Sequence, residues 1–209
     1  MVTEIDICNN ALDLIGEGLS ITSFDDQTKQ AELCKRLYPL SVERSLAKYY
    51  FSFARRDEVI TKDNLIDYVS LPYRFTYKIP DDVQTILYLE QGIRKGGGEK
   101  IDTPNIDFNF REIHGQRCIV TDTEYPITMH YQAKITDTNL FPSDFTEALE
   151  YCLAARLAPA CIKGATGIEI SSKLMGQGLT LLSMASGRDT QQGADSIQID
   201  TPSLIKARY

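Results

Sequence analysis

Hydrophobic spacing changes twice along these 209 residues, and that double change decides what the chain can fold into. Up to Tyr50 the large apolar side chains recur every three or four positions, as one face of a helix requires. From Arg55 to Thr136 they recur every second position, the period of a strand with one face covered. After Phe141-Pro142 the helical period returns. Helices, then strands, then helices specify an α+β chain. The fold expected is an α-helical bundle built from N- and C-terminal helices (1–56 and 138–186), an inserted antiparallel β-sheet region (57–137) and an extended C-terminal arm (187–209).

Local signals place the elements. Thr3 is a good N-cap residue with Asp6 three positions on, and Ile5, Cys8, Ala11, Leu12 and Ile15 mark a first apolar face that Gly16 and Gly18 end. Asp25 or Asp26 is expected to cap a second helix with Ala31, Cys34, Leu37 and Tyr38 on one face. Pro39 is expected to kink or break it, before Val42, Leu46, Tyr49 and Tyr50 resume the pattern. The aromatic run Tyr49 to Phe53 reads as core packing. Tyr73, Phe75, Tyr77 and Ile79 alternate with polar residues, Pro80-Asp81-Asp82 turns the chain, and Val83 to Leu89 reads as a buried strand. His114-Gly115 reads as a hairpin turn needing positive φ. Ile127, Met129 and Tyr131 alternate again. Ser143 or Asp144 is expected to cap a third helix carrying Phe145, Ala148, Leu149, Cys152, Leu153, Leu157 and Ala158, with Ala154 and Ala155 small enough for close approach. A last helix is expected over Ile168–Met184. Its Gly176 and Gly178 cost about 1 kcal/mol each against alanine unless a neighbouring helix needs the space.

Chemistry-bearing patterns are sparse. The two histidines, His114 and His130, are sixteen residues apart without ligand spacing, so neither a metal nor a cofactor is expected. Five cysteines without a C-x-x-C pair read as reduced core residues. Gly96-Gly97-Gly98 lacks the lysine and the following helix of a phosphate loop and reads as a loop tip. Asp81 and Asp82 read as turn residues, although carboxylates are numerous enough that a glycan hydrolase using an acid pair stays an alternative. No apolar run reaches the length of a membrane span, and Met1 to Asp6 has no basic leader, so folding in a cytoplasm is expected.

Charge is distributed unevenly. The net charge is −7, which speaks against a chain whose task is to grip nucleic acid. Yet residues 28–56 carry seven basic against two acidic side chains, a net of +5, which leaves −12 on the remainder. A solvated helix face accounts for such a run. So does a basic stripe that meets the acidic face of an identical neighbour, since opposite patches suit a head-to-tail interface that closes into a ring. A DNA-binding module using Lys29 to Arg56 is a further alternative. On the stripe reading Lys35, Arg36, Arg44, Arg55 and Arg56 are partner contacts. Ile197, Ile199, Leu204, Ile205 and Tyr209 join them as apolar groups of an arm that orders on a partner by strand addition.

Several patterns in a fixed order resemble one family. They are Asn10-Ala11-Leu12-Asp13-Leu14-Ile15-Gly16, Ile21-Thr22-Ser23-Phe24-Asp25-Asp26, Ala31-Glu32-Leu33-Cys34, Tyr38-Pro39 and Phe53-Ala54-Arg55-Arg56. Later come Leu71-Pro72-Tyr73, Tyr77, Pro80-Asp81-Asp82 and Phe141-Pro142-Ser143-Asp144-Phe145, followed by Ala148-Leu149 and Ala154-Ala155. Together they look like the tail tubular protein A family, the head-to-tail adaptors of short-tailed phages. Many members carry a tryptophan before the Phe-Ala pair, where this chain has Phe51-Ser52, and the last fifty residues match less clearly. The resemblance implies a non-enzymatic virion protein, assembled in the host cytoplasm as a ring of twelve subunits. That ring sits beneath the portal, joins head to tail and bears the next tail (nozzle) protein. DNA passes through its channel without sequence-specific binding and without membrane insertion. An acidic channel wall and a basic second helix at subunit contacts fit that picture. A head-completion or neck protein of another phage type is the nearest alternative.

Overall fold

The structure, a computed structural model, describes residues 2–68, 71–92 and 105–194. The mixed content expected from the spacing is present: the described residues form four α-helices and two antiparallel sheets. The chain divides into two compact units, one of residues up to Phe53 and from Thr136 onward, the other of Ala54–Ile135.

The first unit holds α1 (Glu4–Leu14), α2 (Lys29–Leu46), α3 (Ser143–Cys161) and α4 (Ala165–Ala194). Thr3 and Asp6 close the expected capping box on α1. Its other end is tied by Glu17 N–H to Leu12 O at 3.1 Å and Gly16 N–H to Asp13 O at 3.0 Å, the Schellman pairing. The cap of α2 is Thr28, whose hydroxyl accepts from Ala31 N–H at 3.2 Å. It is not Asp25 or Asp26. Asp26 is used earlier, accepting from the backbone N–H of Thr22 at 2.7 Å and of Ser23 at 3.1 Å to close the preceding turn. Pro39 does not break α2, which runs eighteen residues through it. Tyr49 and Tyr50 lie beyond its end. On α3, Ser143 and Asp144 are the first helical residues and Pro142 stands at the cap position with no side chain to offer.

α3 packs against α1, α2 and α4. Its expected face is buried throughout, and Thr146, Ala154 and Ala155 are buried with it. Burying each large side chain of that set is worth about 1.5–3 kcal/mol. α3 and α4 run antiparallel. Ser171 Oγ donates to Ala155 O at 2.6 Å and Arg188 pairs with Asp144 at 2.7 Å, at opposite ends of the interface. Between them sits Gly178: a Cβ there would lie 2.7 Å from Cys152 Sγ and 3.1 Å from Cys152 N.

The last helix does not stop near Met184. It continues to Ala194, so residues 187–194 are helix and not arm. The extra turns are anchored by side chains: Ser186 Oγ donates to Tyr50 O at 2.8 Å, and the Asp189 carboxylate accepts from Ser52 N–H at 2.5 Å and Ser52 Oγ at 2.6 Å. The remainder of the expected arm lies outside the described residues.

The second unit contains β1 (Arg55–Ile60), β2 (Leu65–Ile66), β3 (Phe75–Lys78), β4 (Val83–Gln91), β5 (Phe108–Ile113), β6 (Gln116–Thr121) and β7 (Ile127–Ala133). One sheet has the order β1-β7-β4 and the other β2-β3-β6-β5, all pairs antiparallel. His114 (φ 54°) and Gly115 (φ 76°) form the β5–β6 turn, both positive as a two-residue hairpin of this hand demands. β7 is the central strand of its sheet. Its residues alternate apolar and polar as read, yet all seven are buried, because both faces are covered.

The two α4 glycines are expected to behave oppositely in urea denaturation. Gly178→Ala loses about 1–3 kcal/mol, since a buried thiol and a backbone nitrogen must give way. Gly176→Ala, which meets nothing within 4 Å, gains about 0.5–1 kcal/mol from helix propensity. Equal effects at the two positions would contradict the close α3–α4 approach.

Candidate functional site

The sequence-derived contact residues separate on the structure. Lys35, Arg36 and Arg44 are exposed on α2, in the helical unit. Arg55 and Arg56 belong to β1, in the β unit, so the basic run is not one helix face. Several members are occupied. Lys29 donates to Ala160 O at 2.5 Å, satisfying a carbonyl in the last turn of α3. Lys35 pairs with Asp25 at 2.8 Å, both well exposed, an interaction worth at most a few tenths of a kcal/mol. Arg56 pairs with Asp82 at 2.9 Å. Ile197, Ile199, Leu204, Ile205 and Tyr209 lie outside the described residues.

Antiparallel register assembles a charged cluster that sequence reasoning missed. On β7, His130 stands opposite Asp57 of β1 and opposite Tyr88 of β4, while Glu90 stands opposite Thr128, two positions away on the same face. His130 is fully buried, with Nδ1 2.6 Å from Asp57 Oδ1 and Nε2 3.4 Å from Glu90 Oε2. Tyr88 stacks on the imidazole with ring centroids 4.3 Å apart. The Arg55 guanidinium reaches Tyr88 Oη and His130 Nδ1, each at 3.1 Å, and Asp57 Oδ1 at 3.2 Å.

A tautomer follows from these distances. Arginine can only donate, so Nδ1 would have to be bare to accept from Arg55. A bare nitrogen 2.6 Å from a carboxylate oxygen would set lone pair against lone pair. Nδ1 therefore carries hydrogen and donates to Asp57, and the Arg55 contact is electrostatic support for the carboxylate. Burial pushes the Asp57 carboxyl up, but the hydrogen bond and charge of His130, with the charge of Arg55, outweigh it and hold the group below its ordinary value. The arrangement fastens the edge strands β1 and β4 to the central strand through one imidazole. Alternating polar residues at 55 and 57 and at 88 and 90 are the signal in the sequence. It becomes readable only once the register is known.

In the helical unit a second polar site lies between the end of α2, α3 and α4, where Arg44 and Lys48 meet Arg156 in a pocket of about 410 Å³. Sequence reasoning picked out Arg44 but missed Arg156, a lone charge within the apolar run Leu153 to Ala160. No group of three or more His, Cys, Asp or Glu among the described residues is arranged to hold a metal ion. No helix among them is long and apolar enough to cross a membrane. Neither protein-family models nor the curated proteins provide a match for the chain.

The His130 cluster makes a pH-dependent prediction. A carboxyl held below its ordinary value stabilises the fold above about pH 4 and loses that contribution as pH falls through the lower folded value. Asp57 is 48% exposed, so solvent screens part of the effect, and Asp57→Asn is expected to cost about 1 kcal/mol at pH 7. The gap from wild type should narrow as pH falls below the ordinary carboxylate range and the folded carboxyl protonates. His130→Gln removes the fully buried imidazole that donates to Asp57 and stacks on Tyr88, and should cost about 1–3 kcal/mol. Urea titrations at pH 7 and pH 3 check both, and an Asp57→Asn protein as stable as wild type at pH 7 would refute the account.

Proposed function

We propose that this chain is a structural adaptor subunit of a short-tailed phage, forming a ring beneath the portal that joins head to tail and surrounds the passage for DNA. What carries the proposal is the resemblance to the tail tubular protein A family. One structural observation supports it: two of the resemblance's motifs, about ninety positions apart, converge. Phe53 of Phe53-Ala54-Arg55-Arg56 packs on Phe141 and Phe145 of the later motif at centroid distances of 6.0 and 5.1 Å, and Phe51 completes the cluster 5.0 Å from Phe145. These rings lie where the backbone leaves the helical unit and where it returns.

Other motif residues have local work of the same kind. The Asn9 side chain, preceding the first motif, exchanges two hydrogen bonds with the Ile21 backbone at 2.8 and 3.0 Å. Asn10 donates to Glu150 of α3 at 2.7 Å. Asp26 closes its own turn, and Asp82 receives Arg56. A matching pattern whose residues hold one framework together is better support than the same residues scattered over a surface. In this reading the helical unit supplies a bundle of helices for ring contacts, with Arg36 and Arg44 towards an acidic neighbour. The acidic excess elsewhere keeps the channel from holding phosphates.

Mixing the purified chain with the portal ring of its phage and imaging the product by electron microscopy tests this. A second ring stacked coaxially on the portal is the expected outcome, and its symmetry gives the copy number. Ring formation should weaken as salt rises if opposite charges drive it. A well-folded, full-length chain that never associates with the portal would refute the adaptor role.

A further inference from the structure

Arg156 is the most awkwardly placed charge in the helical unit. It sits in the apolar middle of α3, and its Nε is buried with no hydrogen-bond partner. Arg44 and Lys48, one helical turn apart at the end of α2, share its pocket, and Met175 and Leu179 of α4 form an apolar wall. Among the described residues no carboxylate lies within ion-pair distance of any of the three cations. Three positive charges around one cavity repel, and burial together with the Arg44 charge works against the positive form of Arg156. The α2 C-terminus offers partial negative charge to Arg44 and Lys48, but nothing comparable serves Arg156 in mid-helix. A part-buried guanidinium whose Nε–H has no partner among the described residues, sharing a cavity with two other cations, is matched by an oxyanion, which accepts in the plane of the fork while its charge offsets all three.

We propose that the Arg44–Lys48–Arg156 pocket is an oxyanion-binding site, taking a phosphate or carboxylate group whose apolar neighbour rests on Met175 and Leu179. The site goes beyond the adaptor reading and does not depend on it. The oxyanion has two possible sources, a small phosphorylated or inorganic ligand and an acidic side chain of a second copy of this chain.

The test follows the Arg156 Nε–H resonance of the full-length protein by NMR during titration with inorganic phosphate. A saturable shift is expected, with affinity reduced at least about tenfold in Arg44→Gln, whose exposed side chain can change without disturbing the fold. Phosphate should also raise the thermal midpoint of wild type and leave that of Arg156→Met unmoved. Absence of a saturable shift, or a shift of equal affinity in Arg44→Gln, overturns the proposal. Dilution without phosphate distinguishes the sources. A resonance that moves with self-association, together with oligomers that phosphate dissociates, identifies the carboxylate of a second copy. A resonance independent of protein concentration identifies a free oxyanion.

Discussion

Everything in the helical unit depends on α3 being coverable from several sides at once. A helix that packs on α1, α2 and α4 together must be apolar around most of its circumference, and its small residues must let neighbouring backbones come near. Ala154 and Ala155 are fully buried for that reason, and Gly178 lies close enough to Cys152 to leave no room for a Cβ. A side chain at 178 would lever α4 outward and expose the stripe holding Leu174, Leu182 and Ala185. The glycine that weakens α4 as an isolated helix is what allows α4 to belong to the unit. Local propensity is given up so that tertiary packing can form.

Around that centre the chain uses side chains to settle its ends. Lys29 covers a last-turn carbonyl of α3, Arg188 reaches Asp144 in the first turn of α3, and Asp189 takes the hydrogens of Ser52. Each is a polar group near a helix terminus, where the backbone leaves donors or acceptors unsatisfied. Phe51, Phe53, Phe141 and Phe145 do the equivalent apolar work, ring edge to ring face in most pairs.

What the sequence discloses about this fold divides along the same line between local and long-range signals. The α1 cap, the His114-Gly115 turn, the strand region and the buried face of α3 were legible because each depends on residues within a few positions of one another. The end of α4 was not legible: after Met184 the chain reads Ser186-Gly187-Arg188-Asp189-Thr190 with no apolar period, and its partners Tyr50, Ser52 and Asp144 are far away in sequence. The cap of α2 was misassigned because Asp25, Asp26 and Thr28 are all competent. Only the turn at Thr22 and Ser23, which claims Asp26, decides among them. The His130 cluster was illegible for the same reason. Its members are unremarkable on each strand, and only the pairing of β1 and β4 with β7 brings them together.

Charge shows most sharply how a one-dimensional count misleads. Residues 28–56 form a single basic block in sequence, and the structure breaks it into parts with different fates. Arg55 and Arg56 are consumed inside the β unit, one supporting the Asp57–His130 pair and the other bound to Asp82. Lys29 is committed to a helix end and Lys35 to a weak surface pair. Arg44 and Lys48 meet no counter-charge among the described residues, and Arg156, from outside the block, joins them. The block's +5 therefore overstates what is free to meet a partner and misplaces it. Apart from Arg36 on the exposed face of α2, the positive charge left for an external anion gathers at one pocket, where the Arg156 guanidinium is part-buried. A part-buried guanidinium with an unpartnered N–H is a stronger reason to look for a partner than any number of solvated cations, because only the former carries a desolvation cost that an anion would offset.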